Sequence, residues 1–167
     1  MKNNLAAQYR PAKVADIPEM LKVINAHANH GHMLHKKYAE LLEILPNFFV
    51  AELDEKIIGT CAFKIWLTKE IELISSAIIE VYHNRGIGLA LNNEVIRRAR
   101  IIGFTNFFVL TKRDTFYEKL GFYKVPKQNL SHKLYVDCLR CSENTEGDPA
   151  FFLTDKCKDV AMYKIVP

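Results

Sequence analysis

Residues 71–122 read IELISSAIIEVYHNRGIGLALNNEVIRRARIIGFTNFFVLTKRDTFYEKLGF. An apolar, β-rich run over 71–82 passes through His83-Asn84-Arg85-Gly86-Ile87-Gly88 into a stretch whose apolar residues recur at helical spacing. These are Ile87, Leu91, Val95, Ala99 and Ile102, with Asn92, Asn93, Arg97 and Arg100 turned away. A strand that turns through two close glycines into a helix presents backbone N–H groups and a positive helix end, which together bind a pyrophosphate. Gly-x-Gly also occurs in ordinary tight turns, so the pair alone leaves both readings open. Gly103 fits a helix C-cap, and 105–111 reads as a further buried strand. Asp114 caps a short helix ending at Leu120-Gly121, and 122–125 returns to extended structure.

Upstream, Asp16-Ile17-Pro18-Glu19 is a helix start with an N-cap aspartate and an early proline. Ile17, Met20, Leu21, Ile24 and Ala28 carry that helix to about Asn29, after a short strand over 8–11. A second helix over 36–45 is stopped by Pro46, and 47–52 and 56–66 are β-rich runs joined at Asp54-Glu55 by a hairpin turn. Beyond Pro126 the pattern weakens until a last strand over 160–166. Strand, two helices, three strands, helix, strand, helix, strand predicts an α/β sandwich with a mixed sheet.

A chain of 167 residues is expected to form one domain with a proper core, here a body over about 8–125 and a cysteine-containing extension over 126–167. The charge balance, 23 basic against 19 acidic residues or +4, suits an anionic small ligand and falls short of the Lys/Arg stripe of a nucleic-acid binder. Arg97, Arg98 and Arg100 read as a solvated helix face. No apolar signal region or membrane-length run is visible, which predicts a cytoplasmic protein with neither a nucleic acid nor a membrane as partner. In that compartment Cys61, Cys138, Cys141 and Cys157 are reduced thiols or metal ligands, and Cys61, inside a strand pattern, is core.

These residues resemble the GNAT superfamily of N-acetyltransferases. The family's glycine signature falls on positions 83, 86 and 88, with His83 where Arg or Gln is usual, and its tyrosine four residues before Gly-Phe falls on Tyr117. The resemblance implies a mixed, mostly antiparallel central sheet flanked by helices, with splayed central strands, and acetyl-CoA as co-substrate. A narrower likeness runs to single-domain bacterial amino-acid N-acetyltransferases of the N-acetylglutamate synthase type. It rests on Gly31-His32-Met33-Leu34, Glu72, Val109-Leu110-Thr111, 116–122, Asp137-Cys138-Leu139-Arg140-Cys141, Cys157 and Ala161-Met162. Ile74 and Lys36 stand where that group has arginine.

Acetyl transfer to an amine needs a neutral nitrogen, donors for the developing oxyanion and a proton for the departing thiolate. Glu72 is the candidate base, against a plain strand-end carboxylate and with Glu70 and Glu80 as competitors. The resemblance implies that Tyr117 is the acid toward the coenzyme A sulfur, against a packed aromatic. It also implies that Ile78, Ile79 and Val81 offer amides along a bulge, that His83, Asn84, Arg85, Gly86, Ile87 and Gly88 hold the pyrophosphate, and that Thr111 lines the cofactor. The acceptor is a small amine, an amino acid such as glutamate first, met by the loop 30–37 with Met33, Lys36 and Lys37 and by Arg113. The three cations read equally well as solvated. A polyamine, aminoglycoside or protein N-terminus as acceptor, and a non-catalytic CoA-binding regulator, are the alternatives, and association as a homodimer stays open. Cys138, Cys141 and Cys157, with His132, have the ligand types of a zinc site, against packing or plain reduced thiols. His27, His30, His32 and His35 crowd one helix end and lack the accompanying carboxylate or cysteine of a metal site, which favours lining a pocket or capping the helix.

Overall fold

A computed structural model describes residues 6–67, 69–133, 138–141 and 143–167. The chain forms β1 (Gln8–Pro11), α1 (Ile17–Asn29), α2 (Tyr38–Glu43), β2 (Phe48–Leu53), β3 (Lys56–Leu67), β4 (Glu70–Ile78), α3 (Ile87–Ile101), β5 (Asn106–Thr111), α4 (Asp114–Glu118), β6 (Tyr123–Lys124) and β7 (Val160–Ile165). Among the described residues seven strands run in the order β1-β2-β3-β4-β5-β7-β6, mixed and mostly antiparallel. The chain divides into two compact units, residues 1–64 with 73–102, and residues 65–72 with 103–167. Among the described residues no helix is long and apolar enough to cross a membrane.

In the first unit α1 lays Ile17, Met20 and Ile24 against Leu41, Phe48, Val50, Ile57 and Ala62, and Leu21, Met33 and Ile74 pack on the same cluster. Asp16 does sit at the N-cap of α1, yet its carboxylate accepts from Lys13 N (2.7 Å) and from the Arg10 guanidinium (2.7 and 3.0 Å), so it closes the preceding 3-10 turn. The helix expected over 36–45 is shorter. Lys37 is its N-cap, its N–H donating to Glu40 Oε2 (2.8 Å), while the main chain of Lys36 is held in both directions by the side chain of Asn25 (2.9 and 3.0 Å). Asp54 and Glu55 both take positive φ (49° and 61°), the twist that a two-residue hairpin turn needs. Gly59 leaves room for the tip of the Ile78 side chain, which would have to move aside for a Cβ there.

In the second unit β4 and β5 pair in parallel over three rungs, Glu70–Asn106, Ile71–Phe107 and Glu72–Phe108, and β7 pairs antiparallel with β5 along its whole length. Phe108, Leu130 and Ala161 form one buried cluster with Trp66, Leu110, Val125 and Tyr163. Phe151, Phe152 and Cys157 form another, on which Leu110, Cys138 and Cys141 pack.

Candidate active site

The glycine loop belongs to the first unit. Gly86, at φ 79°, is the N-cap of α3, no side chain caps the helix, and no acidic residue stands in its first turn. The first helical bond runs from Ala90 N to Gly86 O (3.0 Å), so the amides of Gly86, Ile87, Gly88 and Leu89 have no acceptor within the helix. With the positive end of a 15-residue helix behind them, these amides suit a diphosphate. Asn84 (φ 59°), Arg85 and Gly86 are exposed, the Arg85 guanidinium lies over the Tyr82 ring at 5.5 Å, and the His83 ring donates through Nε2 to Ile78 O (2.7 Å). Ile79 N–H donates to Ile58 O (2.9 Å), so that amide is already engaged, whereas Val81 is 69% exposed.

The face of α3 differs from the expected one. Asn92 is fully buried and Ile102 is exposed, the reverse of the pattern read from the sequence. Leu91, Val95, Ile96 and Ala99 form the apolar stripe, and Asn92 lies within it because its amide is fully used. Its Nδ2 donates to Ser76 Oγ and Gly88 O (2.8 Å each), and its Oδ1 accepts from the Cys61 thiol (3.4 Å). Asn92 thus ties the first turn of the glycine helix to β3 and β4. Burial pushes the Cys61 thiol up to about 12, which keeps it protonated and a donor. Asn92 stands four residues after Gly88, but nothing local in the sequence marks it as buried.

The expected acceptor loop is also in the first unit. Met33 packs on the α1–α2 cluster, Lys36 is half-buried and Lys37 is exposed. The His30 ring donates through Nδ1 to Ala26 O (2.8 Å), in the last turn of α1.

Glu72 and Tyr117 lie in the second unit. Glu72 is 3% exposed and accepts from Trp66 Nε1 (3.0 Å), a donor that the sequence did not point to. Two residues earlier on β4, Glu70 accepts from the Tyr163 hydroxyl (2.9 Å), and burial, helped by that carboxylate, pushes the phenol up to about 12. Tyr117, on α4, is 5% exposed, with its ring edge-on to Phe116 (5.1 Å) and Phe122 (5.5 Å). Thr111 ends β5 and its Oγ1 accepts from Arg113 N (2.9 Å); Arg113 is the N-cap of α4, its guanidinium 5.9 Å from the Phe116 ring. Asp114 is therefore the first residue of that helix rather than its cap, and its carboxylate pairs with Lys124 (2.6 Å).

Cys138, Cys141 and Cys157 pack in one apolar cluster and none is in a disulfide, and among the described residues no group of three metal-ligating side chains is placed to hold an ion. Asp137 and the side chain of His132 lie outside the described residues.

The sequence profile of the Acetyltransferase (GNAT) family matches residues 18–122. An N-acetyltransferase of Chlorobaculum tepidum is 28% identical over 155 residues, 93% of this chain and 94% of that protein. An amino-acid acetyltransferase of Vibrio vulnificus is 28% identical over 127 residues, 75% of this chain but 28% of that protein's length. The fold is shared with N-acetylglutamate synthase of Neisseria gonorrhoeae, solved with coenzyme A and N-acetyl-glutamate, at a TM-score of 0.79 and 20% identity, over 97% of this chain and 35% of that one. The chain belongs to the acetyltransferase (GNAT) family. It is an N-acetyltransferase.

Proposed function

We propose that the protein transfers the acetyl group of acetyl-CoA to the amino group of a small amino acid. The observation that carries this is the uncapped start of α3, four amides at a left-handed glycine with no acid nearby, which fits the diphosphate of coenzyme A. The amino-acid acceptor is supported by the amino-acid acetyltransferase among the relatives, and by the N-acetyl-glutamate bound in the structural neighbour. Glutamate is the first candidate, and Lys36, Lys37 and Arg113 supply the positive charge for its acidic groups.

In the proposed chemistry Glu72 takes a proton from the acceptor ammonium, directly or through one water, leaving a nitrogen lone pair to attack the thioester carbon. The carbonyl oxygen gains charge against main-chain amides of the 78–81 stretch other than that of Ile79, which is given to Ile58 O. The C–N bond forms and the C–S bond breaks as the Tyr117 hydroxyl gives its proton to the departing thiolate; the acylated nitrogen then gives its second proton to the Tyr117 phenolate through water, and Glu72 releases the first to solvent. Thr111 borders the cofactor at the end of β5, and Met33 gives the acceptor loop an apolar foot on α1. Residues 1–167 act as one acetyltransferase domain, in the cytoplasm, where free thiols persist.

Free-thiol release from acetyl-CoA over a panel of amino acids, polyamines and peptides tests this. An amino acid, glutamate foremost, is expected to give the highest kcat/KM. A polyamine or peptide in first place overturns the acceptor, and coenzyme A binding without thiol release for any amine makes the protein a binding regulator.

A further inference from the structure

We propose that His27 is a positioning residue for the glycine loop, acting through the carbonyl of Ile78 that it shares with His83. The proposal rests on the reading of that loop as the coenzyme A site. His27, in the last turn of α1, meets Ile78 O through Nε2 at 2.8 Å, and His83, at the mouth of the loop, meets the same oxygen through Nε2 at 2.7 Å. A carbonyl only accepts, so both rings carry a proton on Nε2, and its two lone pairs serve one donor each. The rings lie nearly parallel, 28° apart, with centroids at 5.9 Å.

Ile78 is a fixed point for both. Its side chain packs against the open face of Gly59, and the next amide is bound to Ile58 O (2.9 Å). Between His83 and α3 the loop passes through two left-handed residues, Asn84 and Gly86, and α3 has no side-chain cap. His83 is therefore the side chain that moors the loop's entry to the strand before it. His27 occupies the second lone pair and backs the His83 ring, leaving that ring one direction of approach. Removing the His27 donor lets His83 swing between the two lone pairs, and the amides after it lose their fixed aim.

The test compares His27→Phe, which keeps a ring but no donor, with His27→Gln, which keeps a side-chain N–H. Coenzyme A affinity is measured by calorimetry, KM and kcat by steady-state kinetics, and amide exchange over residues 85–89 in the ligand-free protein. His27→Phe is expected to weaken coenzyme A binding and raise the KM for acetyl-CoA about tenfold, the net size of one hydrogen bond, with kcat within about twofold. Loop exchange should speed up by a similar factor, and His27→Gln should restore all three to within about threefold. Equal losses in the two variants, a loss confined to kcat, or wild-type behaviour of His27→Phe overturns the proposal. If His27→Phe does not fold, the His83→Phe and His27→Gln/His83→Phe proteins replace it: mooring through a shared carbonyl predicts that His83→Phe alone reproduces the tenfold loss, and wild-type affinity there overturns it. If the wild type binds no coenzyme A, the reading of the loop fails, and the exchange rates of the ligand-free variants still decide the role of His27.

Discussion

The glycine loop of the first unit and the Glu72–Tyr117 side of the second use the chain in opposite ways. Around Gly86 the main chain is exposed and is the proposed ligand-binding surface, while side chains such as His83 and Asn92 turn inward to hold it. Around Glu72 and Tyr117 the main chain is tied up in a ladder and a helix, and the proposed base and acid are side chains 3% and 5% exposed. A site made of amides is specified by φ angles and anchors, so it tolerates change in the exposed side chains along it. A site made of buried side chains is specified by their identity, and every atom lost there is felt.

The largest effect that separates these two modes is expected at Gly86. Its φ of 79° disfavours a β-branched residue, although nothing lies within 4 Å of where a Cβ would sit. Forcing valine into that region costs about 1–3 kcal/mol, so Gly86→Val should weaken coenzyme A binding by about 10- to 100-fold in calorimetry. Asparagine tolerates the left-handed region, and Gly86→Asn should keep most of the affinity. If asparagine fails as badly as valine, side-chain bulk against the ligand matters more than φ, and the contrast between the two regions breaks.

Next comes the anchor. Asn92→Leu keeps the volume and removes two donors and one acceptor, leaving Ser76 and Gly88 O to find other partners in a buried place. The expected cost is about 2 kcal/mol in urea unfolding, with weaker coenzyme A binding as the first turn of α3 loosens. A leucine variant as stable as the wild type would show that the helix start is held by packing alone.

These two residues also mark what the sequence could and could not reveal. Gly86 was legible because a left-handed turn into a helix restricts residue type, and the strand and helix order was legible from periodicity, with α1 ending at Asn29 as read. Asn92 was not, because a polar residue beside an apolar stripe ordinarily faces water and only the tertiary position of Ser76 and Cys61 makes it core. The same holds for Trp66 on Glu72 and for His27 on Ile78 O, contacts between residues whose spacing carries no local pattern. Asp16 was legible as a cap, but Arg10 and Lys13, a few residues upstream, claim its carboxylate.

On the side-chain site, Tyr117→Phe keeps the ring against Phe116 and Phe122 and deletes only the hydroxyl. Turnover should fall at least about tenfold, with coenzyme A affinity and melting temperature near those of the wild type. Unchanged turnover retires Tyr117 as the acid and leaves it as packing. An equal loss of affinity would mean that the hydroxyl positions the cofactor, which makes the second site less different from the first.

The smallest effect belongs to neither site and serves as their control. The Arg10 guanidinium donates two hydrogen bonds to Asp16 and holds its carboxyl below the usual carboxylate range. A carboxyl lowered in the folded state stabilises the fold at pH values above its unfolded value, about 4, and that contribution is lost as pH falls through the lower folded value. The stability gap between the wild type and Asp16→Asn should therefore be at its full size, about 1 kcal/mol or less for a partly exposed pair, from neutral pH down to about 5. It should shrink below about pH 4 and close under stronger acid, as followed by urea unfolding across that range. Coenzyme A affinity at neutral pH should not move in this variant, since Asp16 closes a turn ahead of α1 and touches neither the loop nor its anchors. A gap that widened toward acid would mean the carboxyl is raised rather than lowered in the folded protein. A loss of affinity at neutral pH would instead mean that α1, and with it His27, depends on this turn for its place.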